Sequence, residues 1–386
     1  MLIPDYQNGS IANLMASIAR ACCVPDLPCP PLTELPPARL QGISNLILLV
    51  ADGLGYDLLA ARGGPLAPYL RGYLTSVFPS TTASAIPTFM TGLPPSQHGL
   101  TGWHMWLREV GALLAILPLS PRPGAPLLEA LPSPDQLPGK LFSHSSLYSR
   151  IDRPAYVVAP HYIANSPFNR YHSQGAAKVP YTGLGGMFSA LTQLVGKAGK
   201  KFVYAYWPDY DSTAHLHGCR SPPALAALDA LGAAFGTWLA GIGGSDTLVV
   251  LTADHGFMDS PPERQIALAD HPLLADCLAL PLCGERRAAW CYLKPGKDAV
   301  FEAYVRQHLD HAMAAIPRER LLAEAWFGPG PAHPELAARI GDYALILKDN
   351  WTLHDLLPGE RAPTLVGHHG GTSPAEMRVP LVVARP

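Results

Sequence analysis

Six side chains able to hold a metal ion stand directly after apolar runs or in glycine-rich turns. They are Asp52 in VADGLG, Asp211 and His215 in PDYDSTAH, Asp254 and His255 in TADHG, and His369 in GHHGG. Three carboxylates and three imidazoles make a mixed oxygen and nitrogen donor set suited to zinc or a similar divalent ion. Six donors are too many for one tetrahedral ion and about right for two. Each fragment alone has a plainer reading. Asp-Gly after a strand is a turn signal, DHG can start a helix, and Asp211 with His215, four residues apart on one side of a helical turn, can be a cap and a surface histidine. The joint occurrence of four such fragments favours the metal site. A second candidate is SVFPSTTASAIPTFMTGLPPSQHGL, Ser76 to Leu100, where seven Ser and Thr residues fall within sixteen positions. It is either a polar turn and helix start or the carrier of a nucleophilic hydroxyl.

These residues need strands that end together. NLILLVADGLGYDLLAARG reads as a buried strand, a sharp turn and a helix, and a continuous apolar strand of this kind suits a parallel sheet covered on both faces. KFVYAYWPDYDSTAHLHG and SDTLVVLTADHGFMD repeat the pattern, and RPAYVVAPHYIANS repeats it more weakly. With helical stretches such as PPALAALDALGAAFGTWLAGIG between them, the expected fold is α/β: a mainly parallel central sheet flanked by helices on both faces. The carboxyl ends of such strands form the ligand-binding edge, so residues distant in sequence converge there. Residues 1–260 and 366–386 are expected to form this core. Residues 261–365 read as a smaller α+β cap, with ERRAAWCYLKPG as an amphipathic edge strand, DAVFEAYVRQHLDHAMAAI as a helix and DYALILKDNWTLHD as a further strand. CCVPDLPCPPLTELPPARL is proline-rich and reads as an extended surface connection.

Composition narrows the class. The 386 residues are 48% hydrophobic and 15% charged with a formal net charge of -2, which fits a globular chain and lacks the basic footprint of a nucleic-acid-polymer binder. LILLV and VGALLAILPL are short of the ~20 residues that span a bilayer, and MLIPDYQNGS has no basic n-region. The expectation is a cytoplasmic protein without membrane attachment. Its seven cysteines show no CxxC spacing and read as reduced, buried thiols.

The order and wording of LILLVADGLGYDLL, FPSTTASAIPTFMTGLPPSQHGL, PDYDSTAHLHG, TADHGF and GHHGG resemble the alkaline phosphatase superfamily, and within it the type I phosphodiesterase/nucleotide pyrophosphatase family. The resemblance runs from about Leu46 to Val383 but does not describe the cap. It implies two divalent ions, Zn2+ first and Mn2+ as the alternative. One would lie on Asp211, His215 and His369, the other on Asp52, Asp254, His255 and the nucleophile. Aligning FMTGLPPSQHG with the family's TG-L-x-P-x-x-HG element implies Thr82 as nucleophile and metal ligand, ahead of Thr81 and Ser80. His369, directly before glycine, is favoured over His368, and the i, i+4 spacing favours Asp211 over Asp209. His98 reads as structural or as a support to the ligands, and Asp209 and His217 as supports to the ligands or surface residues.

The implied activity is two-metal hydrolysis of a small-molecule phosphodiester, or of a pyrophosphate bond, through a phospho-threonine intermediate. Three alternatives stay open: a phosphomonoesterase, a phosphonoacetate-hydrolase-like C–P hydrolase, and a silent binding protein that kept the fold. Sulfatases are disfavoured because no x-P-x-R signature follows the nucleophile, and the superfamily's mutases because they use serine there. One departure stands out. The asparagine that helps hold a phosphoryl oxygen in characterised diesterases is missing, with Trp103 and His104 in its neighbourhood.

Overall fold

The computed structural model describes residues 1–127, 130–360 and 364–386. A seven-stranded sheet forms the core, in the order Leu70–Thr75, Arg378–Ala384, Thr247–Thr252, Asn45–Ala51, Lys201–Trp207, Ala155–Pro160, Ala176–Tyr181. Asn45–Ala51 lies at its centre, parallel to Lys201–Trp207 on one side and to Thr247–Thr252 on the other. Arg378–Ala384 runs antiparallel to both of its neighbours, Thr247–Thr252 and the edge strand Leu70–Thr75. Every residue of Asn45–Ala51 and of Thr247–Thr252 is buried. Their unbroken apolar runs are therefore what a sheet covered on both faces requires.

Helices flank the sheet. Pro222–Gly241 buries Leu228, Leu231, Phe235, Trp238 and Leu239 in the core. Among the described residues it is the one helix long and apolar enough to cross a membrane by length and composition.

The second sheet is antiparallel and also has seven strands: Met313–Pro317, Tyr343–Leu347, Ala288–Cys291, Cys283–Gly284, His104–Leu107, Ala112–Ala115 and Ser120–Pro121. Three of these come from residues 104–121, joined through the pairing of His104 with Gly284, so the sheet extends beyond the 261–365 segment. Two local expectations are corrected here. Ala288–Cys291 is an interior strand, buried at each position and paired on both sides, not an edge strand. DAVFEAYVRQHLDHAMAAI is helical only to Leu309, and Met313–Pro317 leaves the helix to become the edge strand. Pairing with Tyr343–Leu347 overrode the helical pattern there.

Candidate active site

Three neighbouring strands of the core sheet deliver the carboxylates. Asp52 follows Asn45–Ala51 and donates its amide to the Trp207 carbonyl at 2.9 Å, so the ends of two strands are tied together. Gly53 then turns the chain at φ +74°, with the Phe257 ring packed where a side chain would stand. Lys201–Trp207 runs into the helix Asp209–His217, which carries Asp211 and His215 on one side, 3.5 Å apart from Oδ1 to Nε2. Asp254 and His255 follow Thr247–Thr252. His369 arrives on the loop before Arg378–Ala384.

All seven expected residues meet at this edge. His255 Nε2 lies 3.3 Å from Asp52 Oδ1, 3.5 Å from Asp254 Oδ2 and 4.0 Å from Asp211 Oδ1. His369 Nε2 is 3.2 Å from His215 Nε2, and the rings of His255 and His369 stack with centroids 3.7 Å apart. Potential ligand atoms of Asp52, Asp254 and His255 lie within 4.8 Å of one another, as do those of Asp211, His255 and His369. His255 therefore stands between the two expected ligand sets, and His215 extends the second.

The imidazole tautomers follow from their partners. Nδ1 of His215 faces the Gly367 carbonyl at 2.9 Å, that of His255 the Gly256 carbonyl at 3.0 Å, and that of His369 the Ser80 carbonyl at 3.2 Å. A carbonyl can only accept, so each Nδ1 carries the proton and each Nε2 presents a lone pair. Two such lone pairs, on His215 and His369, face each other.

Burial drives the His215 pKa down to about 4, and that of His369 is lowered by burial and by the neighbouring imidazoles. Burial, then repulsion from neighbouring carboxylates, pushes the Asp52 and Asp211 carboxyls up: Asp211 and Asp254 act on Asp52, Asp254 and Glu285 on Asp211. Asp52 is steadied by a hydrogen bond from the Tyr206 hydroxyl, and Asp254 Oδ1 accepts the amides of Gly53 and His255 at 3.1 and 3.0 Å. Asp211 Oδ1 and Asp254 Oδ2 are buried with no hydrogen-bond partner among the described residues. Crowded carboxylates, converging lone pairs and orphaned oxygens are the donor set that divalent cations satisfy.

Thr82 is the first residue of the helix Thr82–Thr91, where free amides favour an anionic oxygen. Its Oγ1 lies 3.1 Å from His255 Nε2 and 3.5 Å from Asp52 Oδ1. It is 9% exposed, against 1% or less for the other six hydroxyl residues of the stretch. Most of those are engaged elsewhere: Ser76 with the Asp254 carbonyl, Ser80 with Gly371, Thr88 with Ser84 and Thr91 with Pro87. His98 is buried behind this helix with Nε2 3.2 Å from Thr88 Oγ1, outside the cluster.

Thr81 instead donates to Glu285 Oε1 at 2.7 Å, and the Trp103 amide donates to the same oxygen at 2.7 Å. Glu285 thus occupies the neighbourhood of the missing asparagine. It comes from the second sheet and no motif marks it. The one sequence signal is ERR, a charged run inside an apolar stretch. No motif marks Tyr206 either, although it lies one residue before the end of Lys201–Trp207.

The sequence matches the family described as type I phosphodiesterase/nucleotide pyrophosphatase over residues 46–372. No curated protein matches it. Among solved structures it is similar to murine ectonucleotide pyrophosphatase/phosphodiesterase 5, with a TM-score of 0.67, 16% identity and 88% of each chain covered. The human form of that protein gives a TM-score of 0.65 at 19% identity, again with 88% of each chain covered. Phosphonoacetate hydrolase from Sinorhizobium meliloti 1021 gives 0.63 at 18% identity, covering 89% of this chain and 90% of the other. The chain belongs to the type I phosphodiesterase/nucleotide pyrophosphatase family, hydrolases acting on phosphoric ester bonds.

Proposed function

We propose that this protein hydrolyses a small-molecule phosphodiester, or a pyrophosphate bond, with Thr82 as a covalent nucleophile and two divalent ions as cofactors. The observation that carries the reading is the isolation of Thr82. Of the hydroxyls in its stretch it alone faces the carboxylate and imidazole cluster. The murine relative supports it, because a threonine-to-alanine form of that protein is described as inactive and was solved in complex with AMP.

Asp52, Asp254 and His255 would hold one ion with Thr82, and Asp211, His215 and His369 the other. Zinc is the ion best suited to this mixed donor set, with manganese next. When bound, the ions supply Lewis-acid charge that lowers the pKa of a coordinated hydroxyl and stabilises a departing oxygen. The chain's own residues do the rest. Thr82 Oγ1 gives up its proton to solvent and bonds phosphorus while the bond to the leaving oxygen breaks. Water then cleaves the phospho-threonine and restores the hydroxyl. The Asp52 hydrogen bond with Tyr206 and the three carbonyl-bound Nδ1 atoms hold the ligand atoms in place, so little reorganisation accompanies the reaction.

A second reading is a C–P hydrolase or a phosphomonoesterase. Glu285 in place of the asparagine favours it, since a carboxylate accepts where the amide would donate to a non-bridging oxygen, and the bacterial phosphonoacetate hydrolase shares the fold. Hydrolysis of bis(4-nitrophenyl) phosphate against 4-nitrophenyl phosphate separates the readings. Preference for the diester is expected, and a strong preference for the monoester would replace the first reading with the second.

A further inference from the structure

We propose that Arg286 binds a second anionic group, carboxylate or phosphate, carried by the substrate beside its scissile phosphorus. This deepens the hydrolase reading above and rests on it.

Arg286 sits in the turn between Cys283–Gly284 and Ala288–Cys291, a turn pressed against the loop that carries His369. On one side of it, Glu285 packs its Cβ onto Gly370, where any side chain would collide at 2.7 Å, and the φ of +108° there also demands glycine. On the other side, Arg287 is fully buried and forms a two-pronged pair with Glu376 at 2.9 and 2.8 Å. The Arg286 carbonyl is fixed by the Leu353 amide at 2.9 Å. The turn is therefore held on both flanks.

The guanidinium between these anchors is half-buried, yet among the described residues it has no hydrogen bond and no ion pair. That sets it apart. The buried arginines Arg122, Arg153, Arg287 and Arg339 each have a carboxylate partner. The two carboxylates whose field Arg286 feels are both engaged elsewhere. Glu285 accepts from Thr81 and Trp103, and Glu360 accepts from Arg122 at 2.7 and 2.9 Å and from the Leu357 amide. Burial depresses the Arg286 pKa, and repulsion from Arg122 adds to that. A partly desolvated, unpaired guanidinium is unfavourable until an anion meets it.

The position suits substrate. The turn that carries Arg286 adjoins the His369 loop through the packing of Glu285 on Gly370, and the Arg286 charge is felt by His215, His368 and His104. A planar guanidinium binds carboxylate or phosphate through two parallel hydrogen bonds, and such charged bonds discriminate by roughly 10- to 100-fold.

The test uses three isosteric diesters, bis(4-carboxyphenyl), bis(4-phosphonophenyl) and bis(4-carbamoylphenyl) phosphate, with metal-loaded wild type, Arg286→Ala and Arg286→Lys. The wild type is expected to prefer an anionic ester over the carbamoyl ester in kcat/KM. Arg286→Ala is expected to reduce that preference by about 10- to 100-fold, with Arg286→Lys in between. The anion whose preference falls further, carboxylate or phosphonate, is the one the site is built for. A preference ratio in Arg286→Ala within about twofold of wild type would overturn the proposal. Calorimetric binding of the same esters to Thr82→Ala, with and without Arg286→Ala, separates this from the hydrolase reading. If wild type hydrolyses none of the esters, the hydrolase reading fails, and the binding ratio still decides whether Arg286 selects an anion.

Discussion

The Thr81 hydroxyl and the Glu285 carboxylate lie 2.7 Å apart although 204 residues separate them in sequence. This contact fastens the second sheet to the start of the Thr82 helix. Thr81 has extended backbone at the helix N-cap and makes no side-chain cap hydrogen bond; its hydroxyl donates to Glu285. Burial lifts the Glu285 pKa to about 7.

Glu285→Ala leaves the Thr81 hydroxyl and the Trp103 amide without their acceptor. The buried Thr81 hydroxyl left unsatisfied costs about 1–3 kcal/mol, and the misplaced helix start should lower kcat/KM by about 10-fold or more. Glu285→Gln keeps an acceptor oxygen and is expected to retain most of the activity. Steady-state kinetics and thermal melts of the two variants check this, and equal loss in both would rule out the positioning role.

Arg287 and Glu376 form a fully buried pair, and Glu376 also accepts the Gly371 amide at 2.8 Å and a hydroxyl from Ser373 at 2.6 Å. Arg287→Ala strands a buried carboxylate beside the His369 loop. A destabilisation of about 3–5 kcal/mol in urea unfolding is expected, together with weaker metal retention in dialysis. Arg287→Met with Glu376→Leu should recover much of the stability but not the loop contacts.

Behind the Thr82 helix, His144 and His172 are buried with Nε2 atoms 2.9 Å apart. Burial, with the neighbouring imidazole adding to it, lowers the His144 pKa to about 3, and burial lowers that of His172 to about 4. In the unfolded chain both titrate near 6.5. Between these values the unfolded state binds more protons, so stability is full above about pH 6.5 and is lost as the pH falls toward 4. Each residue removes about 2 kcal/mol at pH 5. Urea unfolding at pH 7 and pH 5 reads this directly, and equal stability at both would contradict it.

Removing a ligand should empty part of the metal site without unfolding the core. Asp254→Asn is expected to lower bound metal from about two ions per chain toward one, measured by elemental analysis after dialysis. Unchanged content would argue that Asp254 is a structural acceptor for the Gly53 and His255 amides only.

The ligand-rich edge was legible because it is written locally. Asp52, Asp211 and the pair Asp254 and His255 each follow one of three apolar strands, and the i, i+4 spacing brought His215 to Asp211. The second sheet was not legible in that way. Its strands His104–Leu107 and Cys283–Gly284 are short and meet across about 180 residues, so no periodicity announces their pairing. Ala288–Cys291 read as an edge strand because Glu285, Arg286 and Arg287 precede it, yet two of those charges are consumed by tertiary partners. Met313–Pro317 was hidden in a helical pattern that only the neighbouring strand Tyr343–Leu347 interrupts. Glu285 and Arg286, which we propose to shape substrate choice, lie at a turn of this sheet and became visible only through contacts.

The central claim is that Thr82 carries the phosphoryl group. The most direct measurement is peptide mapping by mass spectrometry after metal-loaded enzyme turning over a bis-aryl phosphate is quenched rapidly in acid. A phosphate-sized increment on the peptide containing Thr82, absent in Thr82→Ala along with hydrolysis, is the predicted result. Full activity in Thr82→Ala, or a phosphate on another residue, would contradict it.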